Sequence, residues 1–374
     1  MNPLLTLPRV VAAEDGPDAG LPAHHGDPLA EQRAMDRSAA VVDRSNREVI
    51  AVPGEDRLTW LHLLLSQHVS ELPPGAGTEA LVLDLNGRVE YHAVLAHTDD
   101  TVWLDMEPGT AEGLLDYLEK MRFWSKVAPR AATDELALLS VVGPSTPEVL
   151  AKAGVPVPAQ PYDCAALPGG GLVRRMPGPG RYAADVLVPR AEVLAWWTRL
   201  RGAGAAAAGV MAYEALRVEA LRPRLGVDTD EKTIPHEVCW IGKAVHLAKG
   251  CYRGQETVAR VANLGRPPRQ LVLLHTESGD DDPLRPGDPV LLGGRTVGRV
   301  GTAVLHHELG GVALALLKRS VPVDSPDLTA GLADDSGDRS TGVRVDPSSV
   351  PPPSNEEPAG RAAQAKTRAR SVRR

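Results

Sequence analysis

The order in which strand and helix patterns follow one another constrains this chain more than any other feature. Strand patterns, with period-two alternation and β-branched residues, cover residues 47–52, 79–106 (three strands), 135–143 and 182–189. Helix patterns, with apolar residues every three or four positions, cover residues 54–69, 110–122, 147–153 and 190–204. A strand–helix–strand–strand–helix order is thus roughly repeated, without clear residue identity between the halves. This rhythm predicts an α+β fold built from two related subdomains.

The pattern changes after residue 271. Four short strand-like runs, LVLLHT, PVLLGG, RTVGRVGTAV and GVALALLK, are divided by Gly and Pro, with no helix pattern among them. Such a series is typical of a small antiparallel barrel or sandwich. The segment 266–269, Arg-Pro-Pro-Arg, is a plausible hinge into this module.

Composition sets the outer boundaries of the domains. The first residues are rich in Pro, Gly and acid, and from about residue 321 the chain is dominated by Asp, Ser, Gly and Pro, which cannot bury enough apolar surface to fold. The last residues are basic, which is more typical of a solvated tail than of a specific nucleic-acid contact. The expected regions are a loosely ordered segment at 1–35, an α+β region at 36–268 with subdomains at about 36–130 and 131–268, a β-barrel at 269–320 and a disordered tail at 321–374.

Bulk properties exclude several classes of protein. The chain has 374 residues, a net charge of −7 and only three cysteines, so neither wholesale nucleic-acid binding nor a disulfide framework is expected. Its N-terminus does not resemble a signal peptide, and no apolar run is long enough for a membrane span. We therefore expect a cytoplasmic protein without membrane association.

One cysteine stands in an unusual setting, the octet KGCYRGQE. The octet consists of Lys249, Gly250, Cys251, Tyr252, Arg253, Gly254, Gln255 and Glu256. The two glycines permit a tight bend, the pattern predicts a helix that starts near the second of them, and two cations flank the thiol, which together favour a reactive cysteine. A small buried cysteine beside a structural turn is the alternative. The spacing of the nearby His and Cys residues matches no common zinc site, and we expect no metal.

The octet carries a resemblance to a known family. Together with G-x-D-x-x-x-W-L at 54–61, N-G-R-V at 86–89 and LRVEA at 216–220, it resembles the YgfZ family, folate-binding relatives of the glycine-cleavage T-protein. The resemblance implies the T-protein architecture, with two α+β subdomains plus a small barrel around a folate site. It also implies tetrahydrofolate or another reduced folate as cofactor, and partners that are iron–sulfur client or assembly proteins, including tRNA-modifying enzymes. Cys251 would be the key residue, and Arg217 and Glu219 would help to hold the folate.

Departures from the T-protein pattern bear on the activity. The resemblance implies that T-proteins that transfer a methylene group keep an aspartate where this chain has Glu90 and Tyr91, and that Arg181 replaces an acidic residue used for the pterin. The resemblance therefore favours a YgfZ-like accessory role over a tetrahydrofolate-dependent aminomethyltransferase. The transferase stays open as the alternative, as does a pure binding module in which Cys251 is structural, and whether any turnover occurs is undecided.

Overall fold

The computed structural model describes residues 2–277, 284–331, 333–334, 337–338 and 340–350. Its helices are α1 (Pro28–Arg37), α2 (Arg57–Leu64), α3 (Ala111–Lys120), α4 (Thr146–Lys152), α5 (Val193–Gly202), α6 (Val210–Glu219) and α7 (Gln255–Leu264). Its first strands are β1 (Val11–Ala12), β2 (Pro22–His24), β3 (Ala40–Asp43), β4 (Glu48–Pro53), β5 (Gly77–Leu83), β6 (Val89–His97), β7 (Thr101–Met106), β8 (Arg130–Ala131), β9 (Leu136–Val142), β10 (Cys164–Ala166), β11 (Leu172–Met176), β12 (Ala183–Pro189) and β13 (Ala206–Ala208). The later strands are β14 (Arg269–Thr276), β15 (Pro289–Leu292), β16 (Arg295–His306), β17 (Gly310–Lys318), β18 (Leu328–Ala330), β19 (Ala333–Asp334), β20 (Gly337–Asp338) and β21 (Thr341–Val345).

The first sheet has five antiparallel strands in the order β5-β6-β7-β4-β8. Alternation along β5 assigns its two faces: Ala80 and Val82 pack in the core with α2 and α3, whereas Leu81 and Leu83 pack toward the barrel. Since successive side chains of a strand point to opposite faces, both faces of this sheet are buried. The sheet therefore lies between its own helices and the rest of the molecule.

The second sheet has six strands in the order β10-β11-β12-β9-β3-β13. Its core against α4 and α5 includes Trp196 and Trp197, while Leu138 and Leu187 on the other face meet Ala51 of the first sheet. Strand β3 pairs with β9, so residues 40–43 belong to the second sheet although they precede the first. The predicted α+β class is confirmed. Because β3 pairs in the second sheet, the two predicted subdomains are linked by a strand that comes from the first of them.

The C-terminal module is a closed barrel in the order β14-β17-β16-β15-β18-β21. The barrel predicted for 269–320 is extended by two strands beyond residue 320, and the start of the predicted disordered tail is accordingly part of the fold. Leu328, Ala330, Val343 and Val345 are buried in the barrel core. Composition hid these strands because each contributes only two or three apolar residues between polar loops. Residues 351–374 of the predicted tail lie outside the described residues.

The N-terminal segment is also ordered, contrary to the expectation for 1–35. Leu4, Leu21 and Met35 are almost completely buried, and α1 is capped by Asp27, whose Oδ1 accepts from the amides of Leu29 and Ala30. An N-cap aspartate typically stabilises a helix by about 1 kcal/mol. A few well-placed apolar residues and this cap are sufficient to fix a Pro- and Gly-rich segment. Among the described residues, no helix is both long and apolar enough to cross a membrane.

Candidate functional site

The octet lies against the turn between β5 and β6. Gly254 has φ of +81°, and a Cβ atom there would lie 2.5 Å from the carbonyl oxygen of Asp84 and 2.9 Å from Cα of Gly87. A side chain is therefore excluded by both conformation and space. Helix α7 begins directly after Gly254, as the sequence indicated. Two motifs far apart in sequence, N-G-R-V and the octet, thus form one surface.

Cys251 is exposed, but the flanking Lys249 is directed elsewhere. The Lys249 ammonium donates to the carbonyl oxygens of His62 and Leu65, the latter at 2.5 Å, at the C-terminal end of α2. A cation at this end complements the helix dipole. Burial lowers the pKa of Lys249 to about 8. Lys249 therefore anchors the loop to α2, which is a structural role.

The second expected cation, Arg253, forms an ion pair. Its Nη1 lies 2.8 Å from Oε2 of Glu90, and its guanidinium lies 5.9 Å from the ring centroid of Tyr117. The neighbouring Tyr91 lies against α3, where its hydroxyl would be 2.6 Å from a Cβ placed on Gly113. Glu90 is therefore held by the charge of Arg253, and Tyr91 is held by packing against α3.

The remaining octet residues mostly support the loop. Tyr252 is buried, the Gln255 side chain donates to the carbonyl of Lys249 at 3.3 Å, and Glu256 is exposed in the first turn of α7. Gly250 has open space around it. The octet thus presents its thiol on a loop that is held at Lys249, Tyr252 and Arg253.

A buried polar cluster that the sequence analysis missed lies on β5 and β6. His92 stacks on Trp240 with ring centroids 4.8 Å apart and an 8° interplanar angle, and its Nε2 lies 3.0 Å from Oε2 of Glu79. The Glu79 carboxylate also accepts from Tyr162 at 2.5 Å and from Arg222 at 2.6 Å. The available signal was the presence of Glu79 and His92 among the largely apolar residues of β5 and β6.

The electrostatics of this cluster keep Glu79 ionised. Burial by itself would raise the pKa of Glu79, but the hydrogen bond with His92 and the charge of Arg222 outweigh burial and hold this pKa well below its usual range. Burial and the neighbouring Glu79 charge raise the pKa of Tyr162 well above its usual range, so that the phenol remains a donor. The cluster therefore joins the first sheet, the second sheet and the segment after α6 through one buried carboxylate.

Arg217 is buried in an ion network at the base of the barrel. Its guanidinium contacts Glu214 at 2.7 Å, Asp228 at 2.8 Å and the hydroxyl of Thr302 at 2.5 Å, and it also donates to the carbonyl of Arg222. Burial would raise the pKa of Glu214, but the charges of Arg217 and Arg224 lower it to about 2. The N–H groups of the Arg217 guanidinium thus donate their hydrogen bonds to other groups of the protein.

Glu219, two residues along α6, is not brought together with Arg217. Its side chain is 52% exposed and lies 3.5 Å from Nε2 of His306 on the barrel, and the interaction with His306 lowers its pKa. Arg181, which the resemblance sets in place of an acidic residue, is exposed next to β12. Of the two residues expected to hold folate, Glu219 alone presents an accessible charge.

Comparisons with known proteins agree with this architecture. Residues 24–249 match the family described as the GCVT N-terminal domain, and the chain belongs to this family. The crystal structure of the glycine cleavage system aminomethyltransferase T of Bartonella henselae superposes with a TM-score of 0.80 at 20% identity, covering 91% of this chain and 94% of that one. At this identity, the similarity shows the fold.

Several relatives are named aminomethyltransferase. The aminomethyltransferase of Methylococcus capsulatus is 29% identical over 310 residues, which cover 80% of this chain and 81% of the relative. The aminomethyltransferase of Stenotrophomonas maltophilia is 28% identical over 333 residues, covering 81% and 88%. The chain is therefore similar to aminomethyltransferases over most of its length, and its fold is that of the glycine-cleavage T-protein.

Proposed function

We propose that this protein binds a reduced folate, such as tetrahydrofolate, and acts as a YgfZ-like accessory protein in the assembly or repair of iron–sulfur enzymes, including those that modify tRNA. One observation carries the proposal: Glu90 is paired with Arg253 and Tyr91 packs on α3, so neither offers a free carboxylate where T-proteins keep their aspartate. Assistance to methylene transfer by a charged or acidic group needs such a carboxylate in place. The absence of this carboxylate favours a protein that binds the folate but does not transfer a methylene group.

The residues available for folate fit the ligand in part. The ring of a pterin presents adjacent N–H donors, which a carboxylate can accept, and Glu219 is both ionised and accessible. Arg217 instead acts indirectly, because its contacts to Asp228 and Thr302 hold α6 against the barrel. We therefore assign Glu219 to ligand contact and Arg217 to positioning.

Cys251 supplies the reactive group of the proposal. Its thiol is exposed on a loop fixed at both sides, so it can reach a cluster, a sulfur species or a partner thiol without rearrangement of the core. The expected partners are iron–sulfur client or assembly proteins in the cytoplasm. A thiol presented in this way needs no metal site of its own.

A tetrahydrofolate-dependent aminomethyltransferase is the second candidate. It is favoured by the relatives named aminomethyltransferase, which this chain matches over about four fifths of its length. The two candidates share a folate and differ in the transfer step. An assay with an aminomethylated carrier protein and tetrahydrofolate separates them: release of ammonia and formation of methylenetetrahydrofolate would establish the transferase.

Binding is tested by calorimetric titration with tetrahydrofolate. We expect saturable binding that Glu219→Ala weakens, whereas the same substitution at the exposed Glu256 leaves it unchanged. Absence of binding at millimolar concentration would refute the folate part of the proposal for both candidates.

The cellular role is tested by complementation. In cells lacking the protein, activities of several iron–sulfur enzymes should fall, and the native chain should restore them. Cys251→Ser should fail to restore them while keeping the native melting temperature. A fully functional serine variant would show that the thiol is structural.

A further inference from the structure

A cavity of about 320 Å³ lies between the turn Pro235–Val238, α7 and β14, and we call it the α7–β14 cavity. Its walls are largely apolar, with Ile241, Leu247 and Val261 among them. Small-molecule pockets span about 300–1,000 Å³, so this cavity suits a small ligand. Neither Cys251 nor Glu219 lines it, and it is distinct from the groups assigned to the proposed function.

His236 lines the cavity with unsatisfied hydrogen-bonding groups. Among the described residues, neither Nδ1 nor Nε2 of its buried ring has a hydrogen-bond partner. Burial lowers the pKa of His236 to about 4, so the imidazole is neutral and carries one donor and one acceptor. A buried polar group without a partner costs about 1–3 kcal/mol. A ligand with polar atoms would relieve this cost.

Two further polar side chains face the cavity without partners. Gln270 is only 9% exposed, and its amide makes no hydrogen bond to any residue in the described part of the chain. Arg319 lines the rim, and no described carboxylate lies within ion-pair distance of its guanidinium. The nearby Glu237 pairs with Arg269 at 2.8 Å, and Arg269 also pairs with Asp230. Among the described residues that line the cavity, Arg319 is therefore a cation without an ion-pair partner.

We propose that the α7–β14 cavity binds a small carboxylic acid with an apolar body, in its carboxylate form. The Arg319 guanidinium matches a carboxylate in charge and in planar geometry, and the amide of Gln270 and the imidazole of His236 supply further polar contacts. The apolar body packs against Ile241, Leu247 and Val261. A cation would be repelled by Arg319, and a purely apolar ligand would leave the polar groups unpaired.

Cys239 makes this proposal directly testable. Its thiol is exposed and lines the cavity, while the exposed thiol of Cys251 lies outside it and serves as an internal control. The experiment measures iodoacetamide labelling of each cysteine by mass spectrometry, with hexanoate as the probe. Hexanamide and inorganic phosphate are the matched neutral and anionic controls.

Hexanoate should slow labelling of Cys239 and leave Cys251 unchanged, and neither control compound should protect. Arg319→Gln should raise the half-protecting concentration by about 10-fold or more, the usual effect of losing a charge-assisted hydrogen bond. Arg295→Gln, at an exposed arginine that does not line the cavity, should have no effect.

Several results would overturn the proposal. These are no protection at ~50 mM hexanoate, the weakest binding of interest, equal protection by hexanamide or phosphate, or protection unchanged in Arg319→Gln. Protection by tetrahydrofolate but not by hexanoate would assign the cavity to the folate site instead. Because folate binding itself is measured by calorimetry, failure here is distinguishable from failure of the proposed function.

Discussion

Gly87 and Gly254 pack backbone against backbone, and a methyl group on Gly254 would lie 2.9 Å from Cα of Gly87. One glycine closes the β5–β6 turn, and the other ends the cysteine loop immediately before α7. The contact fixes the loop that presents Cys251 relative to the strand that carries Glu90. The motif's glycines therefore matter through a tertiary approach as well as through local bending.

The first prediction concerns this approach. Gly254→Ala should destabilise the protein by about 1–3 kcal/mol, because alanine is strained at positive φ and would clash with the Asp84 carbonyl at 2.5 Å. Gly250→Ala is the matched control, since the space beside it is open. Urea unfolding measures both variants. Equal stabilities of the two variants would contradict the close approach.

The second prediction concerns Glu90 and Arg253. This pair is only partly buried, with side-chain exposures of 36% and 32%, so its coupling free energy should be about 0.2–1 kcal/mol. A double-mutant cycle with Glu90→Gln and Arg253→Gln, followed by urea unfolding, measures it. Coupling above about 2 kcal/mol would indicate a desolvated pair with a larger structural role.

The third prediction separates Arg217 from Glu219. Arg217→Ala leaves Glu214 and Asp228 buried without their cation and should cost about 3–5 kcal/mol. Glu219→Ala removes a half-exposed carboxylate and should cost less than about 1 kcal/mol while weakening folate binding. Thermal unfolding and calorimetric titration on the same samples distinguish the two roles. A mild loss of stability in Arg217→Ala would contradict the buried network.

The fourth prediction is a loss of stability in acid. The pKa of Glu214 is lowered to about 2, with the charges of Arg217 and Arg224 outweighing burial, and that of Glu107 is lowered to about 2, with Arg224 and Arg47 outweighing burial. Unfolded glutamates titrate near 4.3, so between about pH 4.5 and 2 the unfolded chain binds more protons than the folded one. The free energy of unfolding should therefore fall as pH falls through this window.

Urea midpoints measured from pH 7 to pH 2.5 test this dependence. Glu214→Gln removes one of the carboxylates with a lowered pKa, so its midpoint should fall less steeply with acid than that of the native protein. An identical slope for both proteins would exclude Glu214 as a contributor.

The fifth prediction ranks the cysteines. Cys164 is buried and burial raises its pKa, so its thiol should be alkylated slowest near neutral pH. Cys251 and Cys239 are both exposed and should label readily. Cys239 closes the turn Pro235–Val238 with φ of +58° and lies at the surface. Rapid labelling of Cys164 in the folded protein would contradict its burial.

The sequence alone determined the class of fold. Alternation with period two and repetition every three or four residues are local properties, and they located four strands of the first sheet, two of the second and most helices, because burial enforces those periods. The bend at the octet glycines and the start of α7 could also be predicted from the sequence, because both depend on local residue types. The resemblance of the motifs to a folate-binding family also required no coordinates.

The tertiary structure decided how charged residues are used. Sequence places Lys249 and Arg253 beside Cys251, but each finds its partner in a distant segment: the end of α2 for Lys249, and Glu90 for Arg253. Arg217 likewise is satisfied by Asp228 and Thr302, and Glu79 by Tyr162 and Arg222. A buried charge must be paired, and its partner is the opposite charge or hydrogen-bonding group that the fold brings close to it. Which groups come close depends on the packing of elements far apart in the chain. The same dependence let Leu328 and Val343 close the barrel in a segment whose composition alone indicated disorder.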